Sequence, residues 1–420
     1  MRRNGSYGKQ LESKKKKLNS SFRIFVSALV LTLVFFLLSN QYSSWLIELG
    51  FILSACAAIS ILIAEACDPF SDAAQWVGIR LRLPPSVRGA TLDAVASSMP
   101  ELFTGLFFVT IALFGTSDDQ GQMLASAEGY GSTVATCAGS SIYNLILIPA
   151  LCAIVVSFSR RDRPQIEVSR EVIHRDGLWV IFTQAGLLVF LFQEKLEWWM
   201  GVVALLTYLV YVLHLYLATR QFRNQLAEIE IATEEADSKT ASVCFGYFNI
   251  RLNGFTSTIV IISATAVAAF ACYLLVDLTN QSAHKLGVSP FFVAVILTAA
   301  VSSIPDTFMS LGSARRGDDA GAMSNVFGSN VFDVCIGMSI PLIVSCYLHQ
   351  WEPIELVMSN GETMNGVVGL RIFLFILTGV AMACMWHLKH INRRTGILFC
   401  ALYASFVIYA ILGALELIPA

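Results

Sequence analysis

Charge is what this sequence has least of. Only 14% of its 420 residues are Asp, Glu, Lys or Arg, whereas 55% are hydrophobic and the mean hydropathy is +0.65. Such a balance excludes an ordinary water-soluble domain and makes lipid the solvent of the fold. The ten cysteines show no C-x-x-C and no metal spacing, which excludes a disulfide framework and a zinc site and leaves them as small apolar residues. Nucleophile–base pairs and phosphate-cradling glycine loops are also missing, so no enzymatic activity and no cofactor are expected. Ser39-Asn40-Gln41, after the first apolar stretch, lacks a small-x-small cleavage pattern, and the stretch reads as a retained anchor helix rather than a secretory signal.

What is abundant is apolar sequence long enough to cross a hydrocarbon layer of about 30 Å. Eleven such spans are expected: Phe22–Ser39, Leu46–Ala66, Val87–Phe114, Ser132–Phe158, Leu178–Gln193, Trp198–Ala218, Thr256–Val276, Pro290–Leu311, Asn325–Tyr347, Val367–Trp386 and Gly396–Leu417. Threaded from a cytoplasmic N-terminus, they place all but three of the 28 lysines and arginines on the cytoplasmic side, the exceptions being Lys195, Lys285 and Arg371. The outer loops carry Asp118, Asp119, Glu352, Glu355 and Glu362. A missed or invented helix would scramble this bias. The chain therefore reads as an all-α, multi-pass protein of a plasma or cell inner membrane. Its partners are inorganic cations and the bilayer, with no nucleic acid; the oligomeric state is open and admits a monomer.

Two of the least lipid-like stretches repeat each other. Residues 89 to 101 read G-A-T-L-D-A-V-A-S-S-M-P-E and residues 294 to 306 read A-V-I-L-T-A-A-V-S-S-I-P-D, both ending in S-S-x-P-acid. The helices that follow also match, Gly139-Ser140-Ser141-Ile142-Tyr143-Asn144 against Gly328-Ser329-Asn330-Val331-Phe332-Asp333. Five crossings separate the two motifs, and an odd number makes the repeats antiparallel, the arrangement in which secondary transporters build a midplane site. The expected organisation is a basic cytoplasmic tail (1–21), an anchor helix (22–45), a first repeat (46–218), a polar cytoplasmic linker (219–253) with an acidic segment Glu228–Asp237, and a second repeat (254–420). The fold is a ten-helix inverted-repeat core, five plus five, with one extra N-terminal helix.

The repeated residues suit hard cations. A proline in a helix has no N–H to give, so Pro100 frees the carbonyl of Ala96 and Pro305 that of Val301, and in hydrocarbon such a carbonyl needs another partner. Beside each proline stand a carboxylate, Glu101 or Asp306, and paired hydroxyls, Ser97 with Ser98 and Ser302 with Ser303. Sets of carboxylate, hydroxyl and carbonyl oxygens match calcium and sodium. Ser140 and Asn144 are four residues apart, as are Ser329 and Asp333, so each pair shares a helix face. Gly139 and Gly328 permit close helix approach. Packed about a pseudo-twofold axis, Glu101, Asp306, Asp333 and Asn144 are expected to converge, with no lysine or arginine in the four helix cores to neutralise the acids.

Other polar residues carry blander expectations. Asp93 either lines a cytoplasmic vestibule or faces water at a helix entrance, and both readings stay open. Glu65, Asp68 and Asp72 end the second span toward the cytoplasm. His214 is expected as a packed core histidine, and Asp318 and Asp319 as solvated partners of Arg315 and Arg316.

At G-A-T (89–91), S-S-M-P-E-L-F-T (97–104), S-S-I-P-D (302–306) and G-S-N-V-F-D (328–333) the sequence resembles the cation/calcium antiporter superfamily, and within it the potassium-dependent sodium/calcium exchangers. The likeness runs from about Cys67 through Tyr216 and from Thr256 to Leu348. It implies Glu101 and Asp306 as central calcium ligands, with Ser98, Ser140, Ser303, Ser329 and Asn144 completing the sodium and calcium sites. It further implies backbone oxygens from Ala94, Ser97, Ala299 and Ser302. Asp333 stands where the resemblance implies Asp in potassium-dependent members and often Asn in the others. The chain departs from the family pattern at Ala96, Val301, Ala294, Ile296 and Ser141, changes that bear on ion selectivity more than on ion binding. The implied activity is exchange of calcium for sodium by alternating access, with potassium carried alongside calcium. A calcium/proton antiporter uses the same acids and is the alternative; a cation channel is the alternative from another class.

Overall fold

The computed structural model describes residues 3–42, 44–81, 83, 88–114, 119–160, 162–193, 195–220, 239–356 and 366–417. The acidic linker segment Glu228–Asp237 and the outer-loop residues Asp118 and Glu362 lie outside them. The chain is an all-helical, multi-pass membrane protein, with eleven helical runs among the described residues. Five are simple: α1 (Arg3–Ser39), α2 (Trp45–Arg80), α6 (Trp198–Arg220), α7 (Gly254–Leu286) and α10 (Val367–Leu388). So is α11 (Arg393–Ala414). The remaining five carry a π turn. In α3 it is Gly89–Asp93, leading into Ala94–Phe114; in α4 Tyr143–Leu147, between Asp119–Ile142 and Ile148–Ser159. In α5, Ile173–Gly177 separates Arg170–Val172 from Leu178–Leu191. In α8, Pro290–Val293 leads through Ala294–Thr298 to Ala299–Ser302 and then Ile304–Arg316; in α9, Asp333–Gly337 separates Asp319–Phe332 from Ser339–Leu348.

Local chemistry sets the ends. Asn253 opens α7 with a reciprocal capping box with Thr256, and Gly287 closes it in the left-handed conformation; Ser289 and Pro290 restart the chain as α8. Asn392 caps α11, accepting from the N–H groups of Arg394 and Thr395.

Among the described residues nine helices are long and apolar enough to cross a membrane, and the bent α8 makes a tenth. The eleventh expected span is α5. Its apolar part, Leu178–Leu191, is short because the run begins in the polar stretch holding Glu171, Arg175 and Asp176. Two-thirds of the apolar window is buried in α4 and in α9 (67% each), against 6% in α1, so the first two are the centre and α1 is an outer attachment.

Two miniature ribbons report which loops share a face. β1 (Ile166–Glu167) pairs with β6 (His390–Ile391), and β2 (Lys195–Leu196) with β5 (Ile354–Glu355). These are the loop pairs that the charge bias puts together, the first on the arginine-rich side and the second opposite. Lys195 and Glu355 also form an ion pair at 2.7 Å. A hairpin, β3 (Thr240–Val243) with β4 (Phe248–Arg251), ends the linker and packs on the end of α2 through Ala241 and Leu252 against Ala73, Trp76 and Ile79.

The long helices α2 and α7 lie against each other, with Ala55, Cys56 and Ala66 among the contacting side chains on one and Ala264, Ala268 and Ala271 on the other. Several sequence expectations are corrected here. The second span does not end near Ala66: α2 continues to Arg80, so Glu65, Asp68 and Asp72 sit within it. His214 is exposed on the outer surface of α6 against the Trp179 ring, because a lipid-facing helix surface is apolar without being buried. Asp319 pairs with Arg160 of α4 and Asp318 caps α9, so neither pairs with Arg315 or Arg316.

Gly139 lies in a tight seam near the centre: a Cβ there would meet the Val295 carbonyl oxygen at 2.7 Å and Ala299 Cβ at 2.9 Å. Gly139→Val is expected to destabilise the protein by about 1–3 kcal/mol through overpacking. Gly186→Val, where a Cβ meets nothing within 4 Å, should leave the melting temperature of the purified protein unchanged. Equal melting temperatures for the two variants would refute the close α4–α8 contact.

Candidate cation-binding site

Four helices, α3 and α4 from one repeat and α8 and α9 from the other, bring their polar punctuation to one buried zone. Glu101, Asp306, Asp333, Asn144, Ser97, Ser98, Ser140, Ser302, Ser303 and Ser329 are all fully buried. In hydrocarbon such a gathering survives only if its members satisfy one another or a ligand.

Ser140 is the junction. Its hydroxyl lies 2.8 Å from Asp333 Oδ2, 3.2 Å from Glu101 Oε1 and 2.8 Å from the Ser303 hydroxyl. Ser303 also reaches Glu101 Oε1 at 3.2 Å, and Asn144 donates through Nδ2 to Ser140 Oγ and to Asp333 Oδ2, both at 3.3 Å. The i, i+4 relation of Ser140 and Asn144 therefore does put them on one face. Ser329 and Asp333, with the same spacing, divide: Ser329 donates to Asp306 Oδ1 while Asp333 turns to Ser140. Ser97 stands beside Ser329 at 3.5 Å.

Backbone oxygens take part as well. The carbonyl of Ala94 accepts from Ser97 Oγ at 3.3 Å and that of Ala299 from Ser302 Oγ at 3.3 Å, the same contact in each repeat. The π turns Gly89–Asp93 and Ala294–Thr298 occupy matching places just before these residues, and those at Tyr143 and Asp333 follow Ser140 and Ser329. Such turns aim side chains and carbonyls away from the regular helical ladder and recur at functional sites. The two proline motifs differ. α3 passes Pro100 unbroken, whereas α8 leaves helical geometry at Ser303 (φ −82°, ψ 4°), bends by 40° and restarts with Pro305 in its first turn, where the missing N–H costs nothing.

The expected convergence of Glu101, Asp306, Asp333 and Asn144 needs refinement. Glu101, Asp333 and Asn144 meet on Ser140, while Asp306 is held in a neighbouring set by Ser329. Among the described residues no three Asp, Glu, His or Cys side chains close into a metal cluster. Interposed hydroxyls hold the like charges apart, since two carboxylates in a low-dielectric region repel strongly. Among the described residues no ion pair reaches any of the three acids.

The donors do not suffice. Glu101 Oε2, Asp306 Oδ2, Asp333 Oδ1, Asn144 Oδ1 and Ser98 Oγ are buried with no hydrogen-bond partner. Buried polar atoms are almost always paired, so a cluster of orphaned oxygens, nearly all of them acceptors, marks a place for cationic ligands.

A route leads to it. A cavity of 1100 Å³ opens between α2 and the core on the face of the β1–β6 ribbon and ends at Pro305 and Asn325, beside Asp306. Glu65, Asp68 and Asp93 are among its lining residues, which decides Asp93 in favour of the vestibule; its carboxylate accepts from Gln75 at 2.8 Å and Ser71 at 3.2 Å. Toward the opposite face the helices are tied by Thr133 Oγ1, which donates to the Gly105 carbonyl at 3.1 Å, and by the Ser126 and Ser345 hydroxyls, 3.1 Å apart.

Asn325 was not singled out by sequence. It is buried at the inner end of the vestibule, donates to Ser310 Oγ at 3.0 Å and to the Asp306 carbonyl at 3.5 Å, and its Oδ1 lies 3.5 Å from Ser97 Oγ. The available signal was spacing: 325, 329 and 333 follow one another at i, i+4, i+8, as do Thr136, Ser140 and Asn144.

Residues 49–217 and 256–412 match the model of the sodium/calcium exchanger protein family. The chain is 31% identical over 150 residues to sodium/potassium/calcium exchanger 2 of Homo sapiens, a stretch covering 36% of this chain and 22% of that protein. It is 32% identical over 146 residues to sodium/potassium/calcium exchanger 1 of Gallus gallus, covering 35% and 21%. The matched stretch thus spans about a fifth of these relatives' length. The fold is shared with the sodium-calcium exchanger NCX_Mj (TM-score 0.52, 19% identity, 85% of this chain and 98% of that one) and with the H+/Ca2+ exchanger CAX (TM-score 0.61, 13% identity, 96% and 94%).

Ser140→Ala removes a hydroxyl shared by Glu101 and Asp333 and is expected to weaken cation binding to purified protein about tenfold or more, given about 1.5–3 kcal/mol for a hydrogen bond to a charged group. Titration calorimetry measures it; an unchanged dissociation constant would remove Ser140 from the centre of the site.

Proposed function

The chain belongs to the sodium/calcium exchanger protein family, and we propose that it is a secondary antiporter that carries calcium out of the cell against entering sodium, with potassium travelling alongside calcium. The observation that carries this reading is the set of orphaned oxygens on Glu101, Asp306, Asp333, Asn144 and Ser98, drawn from oppositely oriented halves of the chain. Oxygen-only coordination of this kind suits calcium, sodium and potassium rather than softer metals. In this reading Glu101 and Asp306 are the principal calcium ligands. Ser97, Ser98, Ser140, Asn144, Ser302, Ser303 and Ser329 complete the coordination, with the carbonyls of Ala94 and Ala299.

Electrostatics supplies the coupling. Three buried carboxylates cannot cross an occluded, low-dielectric state without compensating charge. One calcium and one potassium balance three negative charges, and sodium ions compete for the same oxygens. The bare site therefore stays where it is while the loaded site moves, and that condition enforces exchange. The moving pair is α2 with α7. Their mutual packing, which includes many small side chains, supports treating them as one body, and the vestibule along α2 supports access to the site from that side. With the N-terminus cytoplasmic, as the arginine and lysine bias requires, this access is from inside, in a plasma or cell inner membrane.

Potassium coupling rests on Asp333, whose carboxylate shares Ser140 with Glu101; the relatives cited above are themselves named sodium/potassium/calcium exchangers. The test is calcium flux in reconstituted vesicles under imposed sodium, potassium and pH gradients. The sodium gradient is expected to drive calcium, potassium to accelerate it, and Asp333→Asn to abolish the potassium dependence while sodium dependence remains. Flux driven by a pH gradient alone would identify a calcium/proton antiporter, and flux far above carrier turnover a channel. A potassium requirement that survives in Asp333→Asn would remove that residue from the potassium site.

A further inference from the structure

Two core helices are tied to the long pair α2 and α7 at matching places. Asp93 is the last residue of the π turn Gly89–Asp93 in α3, and its counterpart in the second repeat, Thr298, is the last residue of the π turn Ala294–Thr298 in α8. Each reaches across to the long helix of its own repeat. Asp93 Oδ1 accepts from Gln75 Nε2 at 2.8 Å and from the Ser71 hydroxyl at 3.2 Å, both on α2. The Thr298 hydroxyl lies 2.7 Å from that of Thr279 on α7. Neither contact belongs to the set of oxygens around Glu101, Asp306 and Asp333.

The geometry of the Asp93 tie is well determined. Lys239 Nζ can only donate and stands 2.7 Å from Gln75 Oε1, so the Gln75 amide presents Nε2 to Asp93. Hydrogen bonds to a carboxylate are roughly twice as strong as those between neutral groups, so this tie outweighs the hydroxyl pair at Thr298. It is also good in one register alone. Along α2, Asp68, Ser71, Gln75 and Gly78 follow one another at helical spacing on the face toward Asp93. A slide of one helical turn, about 5.4 Å, sets Asp93 against the carboxylate of Asp68 in one direction and against Gly78 in the other. Like charges repel in a low-dielectric cleft and glycine brings no side chain, so no neighbouring register replaces both bonds. The backbone of Asp93 faces the cation site. Its carbonyl accepts from Ser97 Oγ at 2.9 Å, and Ser97 stands 3.5 Å from Ser329, the residue that holds Asp306.

We propose that Asp93 is a positioning residue for ion exchange: its carboxylate latches α2, and with it α7, to the core in the inward-open position, and the latch opens each time the pair slides. This rests on the function proposed above, in which α2 and α7 move as one body and the vestibule serves the inner side. Asp93 acts through α2 and Ser97 and not on the ion itself. Thr298 with Thr279 is the weaker counterpart toward the outer face. A chain without the stronger tie spends more of its time open to the outside.

The experiment reads both faces by the rate at which a maleimide modifies one introduced cysteine in purified full-length protein loaded with calcium. Met309→Cys reports from the vestibule, and Ser126→Cys from the contact with Ser345 toward the other face. Cys244, the exposed cysteine among the described residues, is replaced by Ser in both. With Asp93 intact the vestibule reporter reacts fast and the other slowly. Asp93→Leu is expected to raise the rate at Ser126→Cys about tenfold, the worth of a hydrogen bond to a charged group, and to lower it at Met309→Cys. Asp93→Asn, whose Oδ1 can still accept from both donors, should fall between the two. Unchanged rates in Asp93→Leu overturn the proposal. So does a rise at both reporters together, which is loosening of the fold and not a change of register. An Asp93→Asn protein no nearer the parent than Asp93→Leu also overturns it, because the effect would then be one of charge alone. Labelling requires no transport, so opposed shifts in a protein that exchanges no calcium would leave the latch standing and sink only the function.

Discussion

The structure depends on holding three carboxylates in a region where an unpaired one costs several kcal/mol. The protein meets that cost with hydroxyls and amides rather than with lysine or arginine. Ser140 stands between Glu101 and Asp333, and Ser329 holds Asp306. A basic residue would have cancelled the charge permanently and left nothing for a cation to do. Neutral donors orient the acids, keep them apart, and leave one oxygen of each acid unbonded. The inverted repeat is the means: only antiparallel halves can send a helix motif to the same depth from both membrane faces.

Much of this was legible in sequence. The duplicated S-S-x-P-acid motif located the acids, the odd number of crossings gave their opposed orientation, and the basic-residue bias paired the loops that β1–β6 and β2–β5 then join. The rest was hidden for identifiable reasons. Asn325 and Gln75 lie outside the repeated words, and their roles come from which neighbours they reach across helices. Ser329 and Asp333 take different partners, Asp306 and Ser140, although Ser140 and Asn144 stay together across an equivalent π turn, a difference that equal spacing in the two repeats cannot anticipate. His214 shows the opposite failure, since apolar surroundings in a lipid-facing helix do not mean burial.

The halves are alike in sequence and unlike in shape. Pro100 is absorbed in a continuous α3, while Pro305 starts a new segment after a 40° bend at Ser303. Ser303 is also a residue that contacts Glu101 of the other half. The vestibule reaches Pro305, whereas Pro100 of α3 is not among the residues that line it. A pseudo-symmetric chain in one conformation must break its symmetry in this way, because a site open equally to both faces would be a leak.

The small ribbons at the two faces have a bearing on assembly. Each joins a loop of one repeat to a loop of the other, so the two halves are laced together at top and bottom as well as through the chain that links them. Neither half presents a finished surface by itself. The two repeats are in this sense indivisible, each completing the other's edges as staves do in a cask.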